Sequence, residues 1–256
     1  MEITLVQGLL LALVAGIIAI DYQLEGFFIF RPIIVAPVAG LIVGDLNTGL
    51  LVGGITELAF AGITAVGGVT PPDAILTSIM AVVLAKTTGT SPAGSVALAY
   101  PFGLLMQQIN TLQSTLFVGF NARADKHAEA GNLKAIMRLC VYGILVTFLV
   151  YFTATFLSTY VAQSAMSTLV DKMPEWLTHG FEVAGGLLPA VGFAMLLKVM
   201  LKGRFVPYLL AGFIFGSFII FDNILPIAVI GLVFALIEFY NYKGNAKGGA
   251  TDGEGI

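Results

Sequence analysis

The chain has 256 residues, of which 58% are hydrophobic and only 11% charged, with a formal net charge of −3 and a mean hydropathy of +0.96. Soluble domains carry about 25% charge, and a core of this length could not hide so much apolar side chain behind so little polar surface. A water-soluble globular domain is therefore excluded, and without a basic tract or an aromatic-interleaved basic patch no nucleic acid is expected as a partner. The apolar runs are long and continuous, unlike the short alternating segments of a membrane β-barrel. The expected fold class is all-α: a polytopic α-helical membrane protein set in a lipid bilayer.

In chain order, Ile3 to Ile20 is read as a retained first helix, since Glu2 stands where a secretory signal would place basic residues. A polar and aromatic connector, DYQLEGFFIFR, follows, and its Phe27, Phe28 and Phe30 suit an interfacial belt or a re-entrant turn. Pro32 to Val43 is about a dozen residues, too short to cross a hydrocarbon core of ~30 Å as a helix rising ~1.5 Å per residue. Leu50 to Val66 and Ala74 to Ala85 are also short. Such a succession predicts broken or re-entrant helices buried within protein. Val96 to Phe120 is a long segment, and Asn121 to Arg138 is the main soluble stretch. Its four basic residues against two acidic ones place residues 121–138 in the cytoplasm. Leu139 to Val161 and Gly180 to Leu201 are two further spans, and a final hairpin, Phe205 to Phe221 and Ile224 to Tyr242, turns around Asp222-Asn223. Residues 1–243 thus form one membrane domain, and the polar, glycine-rich tail 244–256 is expected to be disordered. Cys140, the single cysteine, stands among apolar residues and reads as a packed core thiol.

The stretch from Gly44 to Ser78 holds Asp45, Glu57 and Asp73, the glycine pairs Gly53-Gly54 and Gly67-Gly68, and Pro71-Pro72 within largely apolar sequence. Polar groups at membrane depth mark a substrate path. Glu57 has no basic residue within a dozen positions, and a carboxylate there costs several kcal/mol unless it is paired. Adjacent sugar hydroxyls would pair it; so would a helix–helix hydrogen bond or an ion pair with Arg31. Asp73 opens a helical run, so N-cap and ligand contact are both open. Asp45 and Asn47 in GDLNTG are turn formers. Gln107, Asn110 and Gln113 share one helix face, with Gln108 beside it. Amides there suit a neutral polar solute or interhelical hydrogen bonds. Gln7 is the only strongly polar side chain of the first segment. No nucleophile–base pair, phosphate loop or metal-ligand spacing appears, so no catalytic residue, metal or cofactor is expected.

Several ordered blocks resemble the membrane IIC subunit of the mannose-type phosphoenolpyruvate-dependent sugar phosphotransferase system. They are EITLVQGL, FRPIIVAPVAGLIVGDLNTGLLVGG, TELAFAG with PPDA, ADKHAEAGN, and PEWLTHGFEVAGGLLPAVGFAMLLKVM. The N-acetylgalactosamine and galactosamine branch is the more similar. The mannose branch tends to carry Trp and Asn after the glycine matching Gly62, where this chain has Ile63 and Ala65.

The resemblance implies an amino-sugar substrate and a IID membrane partner, joined as a trimer of IIC–IID heterodimers in the bacterial cytoplasmic (inner) membrane. It also implies soluble IIA and IIB subunits that carry the phosphoryl group on their own histidines, so that this chain alone is not an enzyme, and an elevator-like motion for translocation. Glu57 and Asp73 match acidic positions of the family pattern. Gln7, Gln107 and Gln108 join them as substrate-binding candidates from polarity and depth alone. Two other functions fit the same residues: an ion-coupled carrier using Glu57 and Asp73, and a structural subunit whose polar groups only hold a partner.

Overall fold

The computed structural model describes residues 3–63, 71–162, 165, 168, 170, 172–219 and 225–248, with side chains to residue 240 in the last helix. Among them every regular element is helical: α1 (Leu5–Leu24), α2 (Pro32–Val43), α3 (Leu46–Phe60), α4 (Ala74–Thr88), α5 (Pro92–Glu129), α6 (Leu133–Phe156), α7 (Glu175–Met200), α8 (Val206–Phe218) and α9 (Leu225–Gly248). A π turn, Leu157–Val161, extends α6, and a 3-10 turn, Gly203–Phe205, precedes α8. The expected all-α membrane architecture is present. Among the described residues, α1, α6 with its π turn, and α7 are the helices long and apolar enough to span a bilayer, while α2, α3 and α4 are the expected short helices. Gly67-Gly68, Ala65 and the Asp222-Asn223 turn lie outside the described residues.

The chain divides into two compact units, Met1–Leu197 and Lys198–Ile256. At the centre of the first is α4, whose residues from Ile75 to Ala85 are all buried. A helix apolar around its whole circumference is a core helix, and α4 packs on α1, α2, α3 and α5. Local signals set the shorter elements. Pro32 occupies the first turn of α2, and Gly44 ends it in the left-handed region (φ 75°). Asp45 then caps α3 by accepting from the Thr48 N–H at 3.1 Å, with Lys86 Nζ 3.6 Å from its other oxygen. The expected turn is thus a helical hairpin closed by an aspartate. Its two arms meet backbone to backbone. A β-carbon at Gly49 would stand 2.7 Å from the Ala36 carbonyl oxygen and 3.0 Å from the Gly40 Cα.

The remaining helices of this unit fix direction. Asn110 meets Tyr151 and Gln113 meets Thr147, so α5 and α6 run antiparallel. Gly8 lies against Tyr160 and Gly16 against Phe148, so α1 is antiparallel to α6 in turn. The C-terminal end of α1 therefore lies on the same side as the α5–α6 turn. That turn is tight. The soluble stretch read at 121–138 is mostly helix: α5 runs to Glu129, Gly131 turns the chain at φ 65°, and Asn132 caps α6 through the Ala135 N–H. Helix α7 reaches its neighbours through glycines. A side chain at Gly192 would collide with the Leu58 and Ala59 carbonyls in the last turn of α3, and one at Gly185 with the Ala93 carbonyl of α5. Cys140 is exposed on α6, contrary to the packed thiol expected. A membrane helix has apolar neighbours on its outer face as well as its inner one, so apolar flanks do not distinguish core from periphery.

In the second unit, α8 and α9 pack through Tyr208 and Phe234, with ring centroids 5.7 Å apart. The Tyr208 hydroxyl donates to Glu238 Oε2 at 3.0 Å. An apolar cleft of about 500 Å³ lies between these helices, with Arg204 and Glu238 among its lining.

The hairpin contact is open to test. Gly49→Leu should destabilise the protein by at least ~1–3 kcal/mol, the usual cost of forcing volume into a filled site. Gly54→Ala, at a position with open space around it, should leave thermal unfolding of the detergent-purified protein close to wild type.

Candidate functional site

The site begins with a buried carboxylate. Asp73 precedes α4 and caps it, Oδ1 accepting from the Leu76 N–H at 2.7 Å. Oδ2 accepts from the Tyr151 hydroxyl at 2.6 Å, and the Asn110 amide donates to that same hydroxyl oxygen at 2.9 Å and to Oδ2 at 3.5 Å. One side chain thus ties the start of α4 to the middles of α5 and α6. The backbone is held as firmly: the Asp73 N–H donates to the Gly103 carbonyl at 3.0 Å, and the Thr77 hydroxyl to the Asp73 carbonyl at 2.6 Å. That approach of α4 to α5 requires glycine at 103, where a β-carbon would fall on the Thr77 hydroxyl.

A second carboxylate lies nearby in sequence. Glu57 Oε1 accepts from Arg31 Nε at 2.8 Å and also from Arg31 Nη2, and Oε2 accepts from the Ile33 N–H at 3.2 Å. The pair is partly exposed, at 42% for the arginine side chain and 19% for the glutamate. It therefore escapes the full desolvation cost of a buried ion pair. Arg31 is set there by the connector, which Asp21 folds by accepting from the Phe27 N–H at 2.6 Å and the Ile29 N–H at 2.8 Å. The same fold brings Tyr22 and Phe30 together edge to face, with centroids 5.1 Å apart.

Two cavities flank this network. One, of about 80 Å³, is lined by Asp73, Arg31, Tyr22, Phe30, Phe60 and Ile63, so it joins charge to aromatic faces. The other, of about 260 Å³, lies between α1, α5 and α6 and is predominantly polar, with Tyr22, Asn110, Gln113, Ser114, Thr147 and Tyr151 on its walls. Tyr22 borders both. The Gln113 amide donates to the Thr147 hydroxyl at 2.6 Å, and its other end is buried without a protein partner. Hydroxyls, amides and carboxylates converge here in the mixture that binds a neutral polyhydroxyl compound.

Of the candidates anticipated from sequence, only Asp73 lines the smaller cavity; Glu57 is not among the lining residues of either cavity and reaches the smaller one through its partner Arg31. Gln7 is elsewhere. In a capping box at the far end of α1 it accepts from the Thr4 N–H at 3.0 Å, and its amide donates to the Ile42 carbonyl at 3.2 Å. Gln107 is half-buried and Gln108 exposed on α5, and neither is among the lining residues of the two cavities. The sequence reading passed over Tyr22, Tyr151 and Thr147. Single tyrosines and threonines in apolar runs carry no spacing signal, and nothing short of the fold could have selected them. Among the described residues no group of His, Cys, Asp and Glu could hold a metal ion.

Short helices around a buried carboxylate, with a polar cavity beside it, are the arrangement of a solute-translocating membrane protein. Residues 5–237 match the family model described as the PTS system sorbose-specific IIC component, and the chain belongs to that family. It is 50% identical over 242 residues to the N-acetylgalactosamine permease IIC component 1 of Escherichia coli K12, covering 94% of this chain and 91% of that one. Against the mannose-specific EIIC component of the same organism it is 33% identical over 238 residues, covering 93% and 89%. A solved structure described as "Structure of membrane protein" overlays with a TM-score of 0.82 at 32% identity, covering 93% of this chain and 97% of that one. A chain in the cryoEM structure of the mannose transporter ManYZ with microcin E492 gives 0.59 at 32% identity, with 94% and 97% covered. The protein is thus an integral membrane, sugar-specific IIC permease of the mannose-family phosphotransferase system, and IIC is the transport subunit of that system.

The Asp73–Tyr151 hydrogen bond should contribute to stability. Tyr151→Phe should cost ~1–3 kcal/mol, because a buried acceptor loses a donor, and a thermal unfolding curve of the purified protein would register it.

Proposed function

We propose that this chain imports N-acetylgalactosamine, or galactosamine, as the IIC subunit of a phosphotransferase complex. The observation that carries the reading is the 50% identity to an N-acetylgalactosamine permease component, against 33% to the mannose-specific components, over nearly the same span. Ile63 falls among the lining of the smaller cavity, at one of the positions where the chain departs from the mannose pattern. A IID subunit completes the membrane complex as a trimer of heterodimers. IIA and IIB bring the phosphoryl group on their own histidines, and the sugar accepts it at the cytoplasmic mouth.

The sugar binds through Asp73 and Glu57. An ionised carboxylate has about four acceptor positions; Asp73 uses three on Leu76, Tyr151 and Asn110, and Glu57 three on Arg31 and Ile33. Glu57 keeps one for a sugar hydroxyl, Asp73 lines the cavity wall beside it, and Tyr22, Phe30 and Phe60 offer faces to the apolar side of the ring. At about 80 Å³ the smaller cavity has room for two or three waters at ~30 Å³ each, so a hexose enters only as it widens. That requirement supports a moving core, of the elevator kind.

Binding to the purified complex with its membrane partner tests substrate and site together. N-acetylgalactosamine should bind more tightly than mannose, and Asp73→Asn and Glu57→Gln should each weaken it by about tenfold or more, the loss of a charge-assisted hydrogen bond. Equal affinity for mannose would overturn the substrate. Unchanged binding in both variants, with the complex intact by size exclusion, would overturn the site.

A further inference from the structure

The larger cavity shares only Tyr22 with the binding site just described, yet it is the better furnished of the two. Its volume of about 260 Å³ equals roughly eight or nine waters at ~30 Å³ each, enough for an amino-sugar ring. Its walls come from three different helices. Asn110, Gln113 and Ser114 are supplied by α5, Thr147 and Tyr151 by α6, and Tyr22 by the end of α1. Gln113 is more than nine-tenths buried, and one end of its amide lacks any protein partner. Turning the amide over exchanges the unpartnered oxygen for an unpartnered NH₂ and does not remove the deficit. A buried polar group left unmade costs ~1–3 kcal/mol, so the chamber is arranged for something that supplies the missing hydrogen bond.

The position of the chamber narrows what that something is. It adjoins the Asp73 network directly, because Tyr151 and Asn110, which hold Asp73 Oδ2, are two of its walls. On the other side of that hydrogen bond lies the aromatic and acidic cavity, and Tyr22 borders both. The end of α1 and the lower half of α5 face the side of the α5–α6 turn, where Arg123, Lys126, Lys134 and Arg138 are exposed; the positive-inside rule puts that side in the cytoplasm. The chamber offers hydroxyls and amides, which donate and accept alike, with the Glu25 carboxylate also among its lining as an acceptor, a set that suits a neutral polyhydroxyl solute.

We propose that this chamber is a second sugar position, on the cytoplasmic side of the Tyr151–Asp73 hydrogen bond, where the amino sugar rests after leaving the smaller cavity that Asp73 and Arg31 line. The proposal rests on the amino-sugar reading above. Gln113 meets the sugar with its unpartnered amide end, while Ser114 and Thr147 offer hydroxyls and Tyr22 a ring. Tyr151, held between Asn110 and Asp73, is the partition that the sugar passes.

Thiol protection tests this in the complex with the membrane partner, in inside-out vesicles. Cys140, the chain's one cysteine and an exposed one, is first replaced by Cys140→Ser. Ser114→Cys then places a thiol in the chamber wall. A membrane-impermeant methanethiosulfonate should modify that thiol from the cytoplasmic side. N-acetylgalactosamine at ten times its Kd should slow the modification about tenfold, in proportion to the fraction of sites left empty. Adding Gln113→Leu should raise the half-protecting concentration about fivefold, the worth of one hydrogen bond, with the complex still intact. A modification rate unaffected by sugar, in vesicles that demonstrably bind it, would overturn the second position and leave the substrate assignment standing. So would protection that Gln113→Leu does not shift. Vesicles that bind no N-acetylgalactosamine would overturn the substrate assignment, and this position with it.

Discussion

The fold of the first unit depends on one side chain being paired in three directions. Asp73 sits at the head of the most buried helix, where an unpaired carboxylate would be expelled by the cost of desolvation. Its oxygens are taken by the Leu76 N–H, the Tyr151 hydroxyl and the Asn110 amide, so the charge that threatens the core also fixes how α4, α5 and α6 meet. The neighbouring backbone contact with Gly103 admits no side chain, which leaves α4 and α5 one register in which to pack. Both cavities inherit their positions from that register, since each is bounded by residues the network holds.

How much of this could be read from residues alone follows from the range of each signal. The bounds of α2 were legible to the residue because Pro32 and Gly44 act locally. The Asp45 turn was legible for the same reason. The extension of α5 was not, because hydropathy reports the medium around a segment and not its backbone: a polar helix in water looks like a loop. Asp73 stood out as a charge in apolar sequence, but its partner Tyr151 lies 78 residues away in an apolar run and declares nothing.

Glu57 shows a different limit. Sequence presented three readings, a sugar contact, a helix–helix hydrogen bond and an ion pair with Arg31, and the fold contains the ion pair. The ion pair and a sugar contact are not exclusive. Three N–H groups occupy Glu57, and an arginine held at a cavity edge by a carboxylate is itself a placed donor. Family membership and pairing geometry therefore answer different questions: the first says which solute class is moved, the second which groups are already committed before it arrives.

The meeting of α7 with its neighbours has a mechanical consequence. Gly192 against the Leu58 and Ala59 carbonyls, and Gly185 against Ala93, are seams of main chain on main chain. Interlocked side chains resist displacement because each knob must leave its hole before the next can be filled. At these two points there is no knob to lift and no detent, and main chain meets main chain directly. The same closeness makes each point unforgiving, since a single methyl group on either glycine would act as a stop.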